Sequence, residues 1–165
     1  MPKNENKKAL LTYTPSDSVT DPVNLRILTE LLHNPRLTMA ELGRRVGLTS
    51  PAVTERVRRL EETEVIRGYR LEVNPVALGL PIAAYVRIRP NPGQLPKIAE
   101  LAQEIPEIVE CHRVTGEDCF ILKVYIPSLD QLDRILDRFL MFGVTTTSLI
   151  QSSPVPLRPL PLPKT

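Results

Sequence analysis

The chain has 165 residues, a formal net charge of only +2 and 42% hydrophobic residues, which suffices for one domain or two small ones with ordinary cores. No apolar run approaches the roughly 18 residues of a membrane span and no secretory leader is recognisable, so we expect a cytoplasmic protein that does not bind membranes. The two cysteines, Cys111 and Cys119, have neither disulfide nor metal-binding spacing and are expected to be reduced thiols.

Residues 1–19 lack a sustained hydrophobic period, and their polar composition predicts a disordered arm. Lys3, Lys7 and Lys8 leave open a second interpretation, a basic arm that reaches across a phosphate backbone. From residue 20 onward the hydrophobic pattern becomes helical, and residues 20–65 predict a domain of three short helices.

The first two helices are marked by the signals at their ends. Asp21-Pro22 predicts the start of one helix, and Asn34-Pro35 closes it. Its predicted buried stripe consists of Ile27, Leu28, Leu31 and Leu32. Thr38 and Glu41 have the spacing of a capping box and open a second helix. That helix is predicted to end at Gly47, where a tight turn between helices needs a positive φ.

The stretch Leu48–Leu60 has the pattern of a recognition helix. Ser50 can cap a helix whose first residue is Pro51. At about 100° per residue, the apolar side consists of Val53, Val57 and Leu60, and the outward side of Pro51, Thr54, Glu55, Arg58 and Arg59. Hydroxyl and guanidinium groups suit base edges and phosphates, and a turn before the last of three helices is the helix-turn-helix arrangement. An amphipathic helix with a solvated basic face is the alternative interpretation.

The summed charge does not favour nucleic acid as a partner. Only the local placement of a few cations does, and these are Arg56, Arg58, Arg59, Arg67 and Arg70. A single copy with so few cations should bind DNA weakly, because non-specific affinity scales with the number of phosphates neutralised. Dimerisation is the expected remedy, since it places two recognition helices in successive major grooves.

An alternating pattern follows the third helix. Ile66–Val73 predicts a half-exposed strand with Tyr69, Leu71 and Val73 on one side. Asn74-Pro75 and Gly79-Leu80-Pro81 then interrupt the chain. Residues 66–80 are therefore interpreted as a hinge strand and linker between two domains.

Residues 81–153 alternate strand and helix patterns in the order βαββαβ, which is the ferredoxin-like arrangement. The predicted elements are Ile82–Ile88, Leu95–Ile105, Val109–Val114, Cys119–Ile126, Leu129–Leu140 and Val144–Ile150. Ser128 with Gln131 caps the second of these helices, and Gly143 is its predicted C′ residue. The buried stripe of that helix is predicted to be Leu129, Leu132, Ile135, Leu136, Phe139 and Leu140. The chain as a whole is predicted to be α+β, with an N-terminal helix-turn-helix (winged-helix-like) domain and a C-terminal ferredoxin-like βαββαβ domain.

Two helices can cover only one face of the predicted sheet. If the hairpin turns around Gly116, the covered face includes Val109, Cys111, Phe120, Leu122 and Val124. The open face would carry Tyr85, Arg87, Glu110, His112, Val114, Ile121, Lys123 and Tyr125. This face is more apolar than a solvated one usually is, so it predicts a homodimer in which two sheets pack face to face.

Two blocks of sequence resemble the Lrp/AsnC family of transcriptional regulators, which are also called feast/famine proteins. The first block is LTMAELGRRVGLTSPAVTERVRRLEETEVIRGYRLEVNPVALG, and the second is IPEIVECHRVTGEDCFILKVYI. The resemblance implies a non-enzymatic, sequence-specific DNA-binding regulator whose hinge strand pairs with that of a second subunit. It also implies dimers that assemble further, often to octamers, and modulation by an amino acid or related small metabolite. One departure is Glu64, which stands where the family usually has Gly. Either this position needs left-handed geometry and Glu64 is mildly strained, or the helix ends differently here.

The candidate DNA-binding residues fall into two groups. Those expected to face the major groove are Ser50, Pro51, Thr54, Glu55, Arg58 and Arg59, with Arg58 as the candidate for reading a base. The candidates for binding phosphate are Arg44, Arg45, Arg67 and Arg70. Double-stranded DNA is thus the expected macromolecular partner.

The resemblance places the effector site at the turn Thr115, Gly116, Glu117, Asp118 and Cys119. This turn offers backbone N–H groups for a carboxylate and two acids for an ammonium. The family pattern is close to T-G-D-aromatic-D, and here it is T-G-E-D-C, with Asp118 at the aromatic place and Cys119 in place of the second acid. The departure leaves open a different ligand or none. A plain hairpin turn with solvated acids is the alternative interpretation.

No catalytic, metal-binding or cofactor-binding motif is recognisable. His33 and His112 each lack a partner acid in a known motif, so structural roles are expected for both. A small-molecule-binding subunit that regulates a metabolic enzyme is the alternative function, but it leaves the outward Arg58 and Arg59 unexplained. Residues 154–165 are rich in proline and predict an extended tail, either disordered or lying on a neighbouring subunit, with polyproline II docking as another possibility.

Overall fold

The computed structural model describes residues 21–163, which form parts of two compact units. Residues 21–71 belong to one unit together with residues 157–163, and residues 72–156 form the other. The predicted N-terminal arm, with Lys3, Lys7 and Lys8, lies outside the described residues. Among the helices of the described chain, none combines the length and the hydropathy that crossing a membrane would require.

The helical unit begins with α1, Pro22–His33, and its start agrees with the prediction. Asp21 caps the helix, because its Oδ1 accepts hydrogen bonds from the backbone N–H groups of Val23 at 2.7 Å and Asn24 at 3.0 Å. The predicted buried stripe is correct except for Leu32, which is 42% exposed. Leu32 lies on the same side of the helix as the buried Leu25 and Leu28, but it belongs to the last turn of α1, where the packed stripe ends.

The second helix, α2, spans Met39–Val46 and is capped by Thr38, whose hydroxyl accepts from the N–H of Glu41 at 3.2 Å. The helix ends at Gly47 in left-handed geometry, with φ 76°, as predicted. Glycine is required at position 43 for a steric reason, because an added Cβ would lie 2.7 Å from the carbonyl oxygen of Leu48. The turn into the next helix therefore passes too close to α2 for any side chain at Gly43.

The third helix, α3, spans Ser50–Glu62, so the prediction of Ser50 as its cap was wrong by one residue. Thr49 is the N-cap and makes no side-chain capping bond, while the Ser50 carbonyl accepts a hydrogen bond from the Thr54 hydroxyl at 2.8 Å. Pro51 tolerates this shift because the first turn of a helix leaves its N–H groups without helical partners.

The three helices share one apolar core. Its buried members are Ile27, Leu28, Leu31, Leu42, Val46, Val53, Val57 and Leu60. The predicted inward residues of α3 are therefore confirmed. Leu162 of the proline-rich tail also packs against this core, an intramolecular contact that the sequence did not predict. Residues 154–163 contain no helix or strand.

The chain leaves α3 through Glu64, which has φ 55° and is the one non-glycine residue with positive φ in the described part of the chain. Of the two alternatives stated for Glu64, the structure has the left-handed one, which is the condition under which a residue other than glycine is strained. Ile66 then donates its N–H to the Leu60 carbonyl at 2.9 Å, which turns the backbone back toward the helix.

The strand predicted at Ile66–Val73 is absent from the structure of the described chain. The physical reason is that a strand needs a neighbouring strand for its backbone hydrogen bonds, and no segment of the described chain forms a ladder with this one. Tyr69, Leu71 and Val73 are exposed. A single 3₁₀ turn, Val76–Leu78, follows in the linker and ends at Gly79.

The second unit has the predicted βαββαβ order. Its elements are β1 Ile82–Pro90, α4 Leu95–Glu104, β2 Ile108–Arg113, β3 Phe120–Ile126, α5 Leu129–Phe139 and β4 Gly143–Leu149. The sheet is antiparallel in the order β2-β3-β1-β4. Alternate residues of β1 and β3 pack with both helices in one core, whose largest fully buried side chain is Phe139. The ferredoxin-like prediction is confirmed.

Four residue assignments in this unit were wrong. Leu129 and Leu140 are 52% and 61% exposed, because they lie at the two ends of the α5 stripe, beyond the sheet-covered turns. Val109 was assigned to the covered face, but a register shift between Ile108 and Glu110 turns Ile108 inward and leaves Val109 44% exposed. Gly143 is the first residue of β4, not a helix C′ residue, and an added Cβ would lie 2.5 Å from the Arg89 carbonyl oxygen.

We predict that Glu64→Gly stabilises the protein by about 0.5 to 1 kcal/mol, because glycine removes the left-handed strain and this gain exceeds the added entropy of the unfolded chain. Ala52→Gly on the exposed side of α3 is the matched control and should destabilise the protein by about 1 kcal/mol. Chemical denaturation followed by circular dichroism measures both changes. A destabilising Glu64→Gly would show that the strain is compensated locally.

Candidate nucleic-acid interface and effector turn

The outward side of α3 is built as the sequence pattern indicates. With Val53, Val57 and Leu60 buried, the other positions of the helix are exposed or half-buried. Ser50, Pro51, Thr54, Arg58 and Arg59 are exposed, and Glu55 is half-buried. The structure thus brings the six predicted groove-facing residues onto one surface, but it also pairs several of them with one another.

Ion pairs join the charged residues of this surface. Arg58 donates to Glu55 through two nitrogens, Nε to Oε2 at 2.9 Å and Nη2 to Oε1 at 2.7 Å, and its Nη1 donates to Glu62. Arg59 donates from Nε to the same Oε1 of Glu55 at 2.9 Å. Hydrogen bonds from Arg58 and then from Arg59 lower the pKa of Glu55 to about 2, and the same pairs raise the pKa of Arg58.

The phosphate candidates on α2 are also paired. Arg44 and Arg45 both donate to Glu41, in the latter case from Nε to Oε1 at 3.0 Å. Arg45 additionally reaches Glu30 of α1 at 3.0 Å. Arg67 and Arg70 differ, because both are exposed and neither forms an ion pair with any residue from 21 to 163.

Arg56 has a role that the sequence did not reveal. Its placement near the other arginines suggested DNA binding, but its Nη1 donates to Asp21 Oδ2 at 3.0 Å and to Asn24 Oδ1 at 2.9 Å. Both partners lie at the start of α1, so Arg56 joins the recognition helix to the N-terminus of the first helix. Hydrogen bonds from the Asn24 backbone and from Arg56 lower the pKa of Asp21.

Tyr69 is the second unforeseen residue of this unit. Its hydroxyl donates to Glu61 of α3 at 2.9 Å, and burial together with this bond raises the pKa of Tyr69 to about 12. Tyr69 is one of the residues that line an open groove of about 480 Å³ between the helices. The groove is lined by Leu31, Pro35, Met39, Thr54, Val57, Arg58, Glu61 and Tyr69. The alternating pattern assigned Tyr69 to a strand face and gave no signal of this contact.

The predicted effector residues form an exposed turn at the end of the β2–β3 hairpin, with Gly116 at φ 116°. The two acids of this turn are paired with arginines of β1. Glu117 accepts from Arg89 Nη2 at 2.6 Å, and Asp118 lies 3.5 Å from Arg87 Nη1 and 3.9 Å from Arg89 Nε. An ammonium group that binds these carboxylates must therefore compete with two guanidinium groups.

The cysteines and histidines of the described residues make only local contacts. The thiol of Cys119 points to the carbonyl oxygens of Gly116 and Glu117, at 3.7 and 3.8 Å. His33 contacts the Thr29 carbonyl within its own helix, and His112 lies 3.4 Å from Glu110 on the same strand. Cys111, predicted on the covered face, does lie opposite the inward Leu122 but is exposed on the edge strand β2, and partial burial of its thiol raises its pKa. Within residues 21–163, no group of three or more His, Cys, Asp or Glu side chains could hold a metal ion.

Comparison with known proteins adds two matches to family models. Residues 20–67 match a model described as winged helix-turn-helix DNA-binding, and residues 83–160 match a model described as the Lrp/AsnC ligand binding domain. The two matches correspond to the two units of the structure and together span most of the chain.

Similar proteins are transcriptional regulators. The HTH-type transcriptional regulator LrpC of Bacillus subtilis is 36% identical over 132 residues, which cover 80% of this chain and 92% of LrpC. The solved structure of B. subtilis LrpC has a TM-score of 0.76, at 36% identity and 80% and 94% coverage of the two chains. The feast or famine regulatory protein of Mycobacterium tuberculosis, solved with L-methionine, has a TM-score of 0.79 at 32% identity, covering 87% and 99%.

We predict that the ion pair between Asp21 and Arg56 stabilises the helical unit at neutral pH and not in acid. Because the pKa of Asp21 is lower in the folded protein than its ordinary value of 3.8, its contribution is complete above that value and is lost as the pH falls through the folded pKa. Asp21→Asn keeps a good N-cap but removes the charge. Wild type should therefore be more stable than Asp21→Asn at pH 7, and the difference should shrink as the pH falls below 3.8 and vanish below the folded pKa of Asp21.

Urea titrations of both proteins between neutral and acidic pH measure this difference. Asp130→Asn removes an exposed carboxylate from α5 in the other unit and controls for the change in net charge. A difference between wild type and Asp21→Asn that stays constant with pH would assign the loss to capping geometry and not to the charge.

Proposed function

Since the chain belongs to the Lrp/AsnC family of transcriptional regulators, we propose that it binds specific sites on double-stranded DNA through α3 and regulates transcription there. The observation that carries the proposal is the exposed side of α3, where Thr54, Arg58 and Arg59 stand opposite a fully buried apolar seam. Guanidinium and hydroxyl groups on one exposed helix face match the donors and acceptors of the major groove. We propose a cytoplasmic location, because a regulator of transcription must have access to the chromosome.

The roles of individual residues follow from their partners. Arg58 is the candidate for a bidentate contact with guanine, with Ser50, Pro51, Thr54, Glu55 and Arg59 beside it. Arg67 and Arg70 are the stronger candidates for binding phosphate, because neither of them forms an ion pair within residues 21–163 that would have to break first. Arg44 and Arg45 must first release Glu41.

We propose that the protein acts as a homodimer formed through the open face of its sheet. The cross-strand register places Tyr85, Arg87, Ile121, Lys123 and Tyr125 on this face, opposite the residues that contact the helices. Lys123 lies 3.4 Å from Glu110 and 5.6 Å from the Tyr125 ring, and its side chain is only 19% exposed. The open face thus has aromatic and aliphatic side chains at its centre and charged side chains around them. Interfaces between proteins have the same composition, an apolar core inside a polar rim.

The exposed segment 66–73 supports a second contact between subunits. Leu71 is 83% exposed and Val73 46% exposed. The backbone of the segment forms no strand with any other part of the described chain. A copy of the same segment would supply the missing strand, as the family resemblance implies. Further assembly of dimers to an octamer is part of this proposal.

The effector is proposed to bind at the Thr115–Cys119 turn, and its class is an amino acid or a related small metabolite. The relative from M. tuberculosis was solved with L-methionine, which gives this proposal its precedent. In the present chain the pairs of Arg87 and Arg89 with the turn acids set a condition on the ligand. When the ammonium group of a ligand binds the turn carboxylates, Arg87 and Arg89 lose their partners. A ligand that also carries an anionic group can then bind these two guanidinium groups.

The experiment that tests this function measures binding of the purified protein to the region upstream of its own gene and to unrelated DNA, across a salt series, with and without a mixture of amino acids. Specific binding that shifts with the mixture supports both the regulator and its effector. Specific binding that ignores the mixture supports the regulator and indicates another ligand or none. No preference at any salt would return the chain to the alternative of a regulatory subunit without DNA binding.

We predict that Arg58→Ala weakens binding to the specific site by about 1 to 3 kcal/mol and relaxes the preference at one base position, because a bidentate base contact is lost. Arg70→Ala is the matched comparison and should weaken binding to all sequences alike, with a shallower salt dependence. Fluorescence anisotropy with single-base variants of the site measures both. A uniform loss for Arg58→Ala would reassign Arg58 to phosphate.

We predict that Ile121→Asp disrupts the dimer, because it places a carboxylate at the apolar centre of the open sheet face. Sedimentation velocity at micromolar concentration should give the mass of a dimer or larger assembly for wild type and a smaller species for the variant. Gln103→Asp, on the exposed side of α4, should leave the mass unchanged. A stable wild-type monomer at this concentration would contradict the proposed interface.

A further inference from the structure

The recognition helix carries its own counter-ions. Two arginines and two glutamates, Arg58, Arg59, Glu55 and Glu62, lie on its exposed side, with side chains between 44% and 72% exposed. Their formal charges cancel. A helix face that approaches a polyanion would be expected to present an excess of cations, so the acids need an explanation.

The geometry of Arg58 gives that explanation. The edge formed by Nε and Nη2 is closed by the Glu55 carboxylate at 2.9 and 2.7 Å, and Nη1 is bound to Glu62. The same guanidinium edge would accept the two acceptors of a guanine or two oxygens of a phosphate. DNA can reach it only after the Glu55 carboxylate has moved away.

Arg59 depends on the same carboxylate, because its Nε donates to Oε1 of Glu55 at 2.9 Å. Glu55 is thus shared by both arginines, whereas Glu62 contacts only Arg58. The spacing explains the arrangement, since Glu55 precedes the arginines by three and four residues and these positions are neighbours on a helix. Hydrogen bonds from both arginines hold the Glu55 pKa near 2, so the carboxylate is charged at any physiological pH.

We propose that Glu55 is a specificity-determining residue that acts as an internal competitor of the DNA phosphates for Arg58 and Arg59. A correct base offers two aligned acceptors in a groove and replaces the weak, exposed ion pairs. A phosphate of an unrelated sequence offers charge alone and meets the repulsion of the adjacent carboxylate. Glu55 therefore lowers affinity for unrelated DNA more than affinity for the specific site.

The inference rests on the proposed DNA-binding function and is tested by Glu55→Gln, which keeps the size of the side chain and removes its charge. The probes are a duplex enriched by the wild-type protein from a randomised library and a shuffled duplex of equal length and composition. We expect affinity for the shuffled duplex to rise about five- to tenfold per subunit, with the dependence of log affinity on log salt steeper by about one per released arginine. The ratio of specific to unrelated affinity should fall.

Two further variants make the comparison sharp. Glu100→Gln in the other unit changes net charge equally and breaks an exposed pair with Lys97, so it should leave the ratio unchanged. Glu62→Gln should produce a smaller loss of specificity than Glu55→Gln, because it releases one contact of one arginine. Circular dichroism and thermal unfolding check that α3 is intact in each variant.

Each outcome has a defined meaning. If wild type does not prefer the enriched duplex, the proposed function fails and the inference fails with it. If wild type discriminates but Glu55→Gln leaves affinity for the shuffled duplex unchanged, only the inference is overturned. A variant that loses affinity for the enriched duplex alone would assign Glu55 a direct base contact, which also overturns the role as competitor.

Discussion

Burial of one apolar seam determines what the recognition helix exposes. Val53, Val57 and Leu60 are each no more than 5% exposed and are packed among residues of α1 and α2. Because helical positions repeat every 3.6 residues, seating these three side chains also sets the direction of every other side chain of α3. The orientation of Arg58 and the placement of Thr54 are consequences of core packing, and the helix-turn-helix surface depends on that packing more than on net charge.

Acidic side chains then decide which arginines are available. Glu55, Glu41 and Asp21 each accept hydrogen bonds from one or two arginines, but with different results. Asp21 joins α1 to α3 through Arg56, which is a structural contact. Glu55 and Glu41 neutralise surface cations that nucleic acid would otherwise attract, and surface pairs of this kind are weak enough to be exchanged. The same residue types thus join two helices in one place and, in our proposal, compete with DNA for the arginines in another.

The sheet of the second unit shows how topology creates sites that no local pattern reveals. The order β2-β3-β1-β4 places β1 beside β3, so Arg87 and Arg89 reach the turn acids Glu117 and Asp118 that lie some 30 residues later in the chain. Both helices lie on one face of the sheet and leave the other open. Arg87 and Arg89 of β1 therefore connect the open face of the sheet with the turn that we propose as the effector site.

The sequence by itself determined the helices, their caps at Asp21, Thr38 and Ser128, and the βαββαβ order, because these depend on neighbours within a few residues. The candidate surface on α3 was predictable for the same reason. Only the tertiary structure decided that Arg56 binds α1, that Tyr69 binds Glu61 and that Val109 turns outward at a bulge. Ion pairs and strand register join residues that are distant in the chain, and helical or alternating periodicity contains no information about such distances.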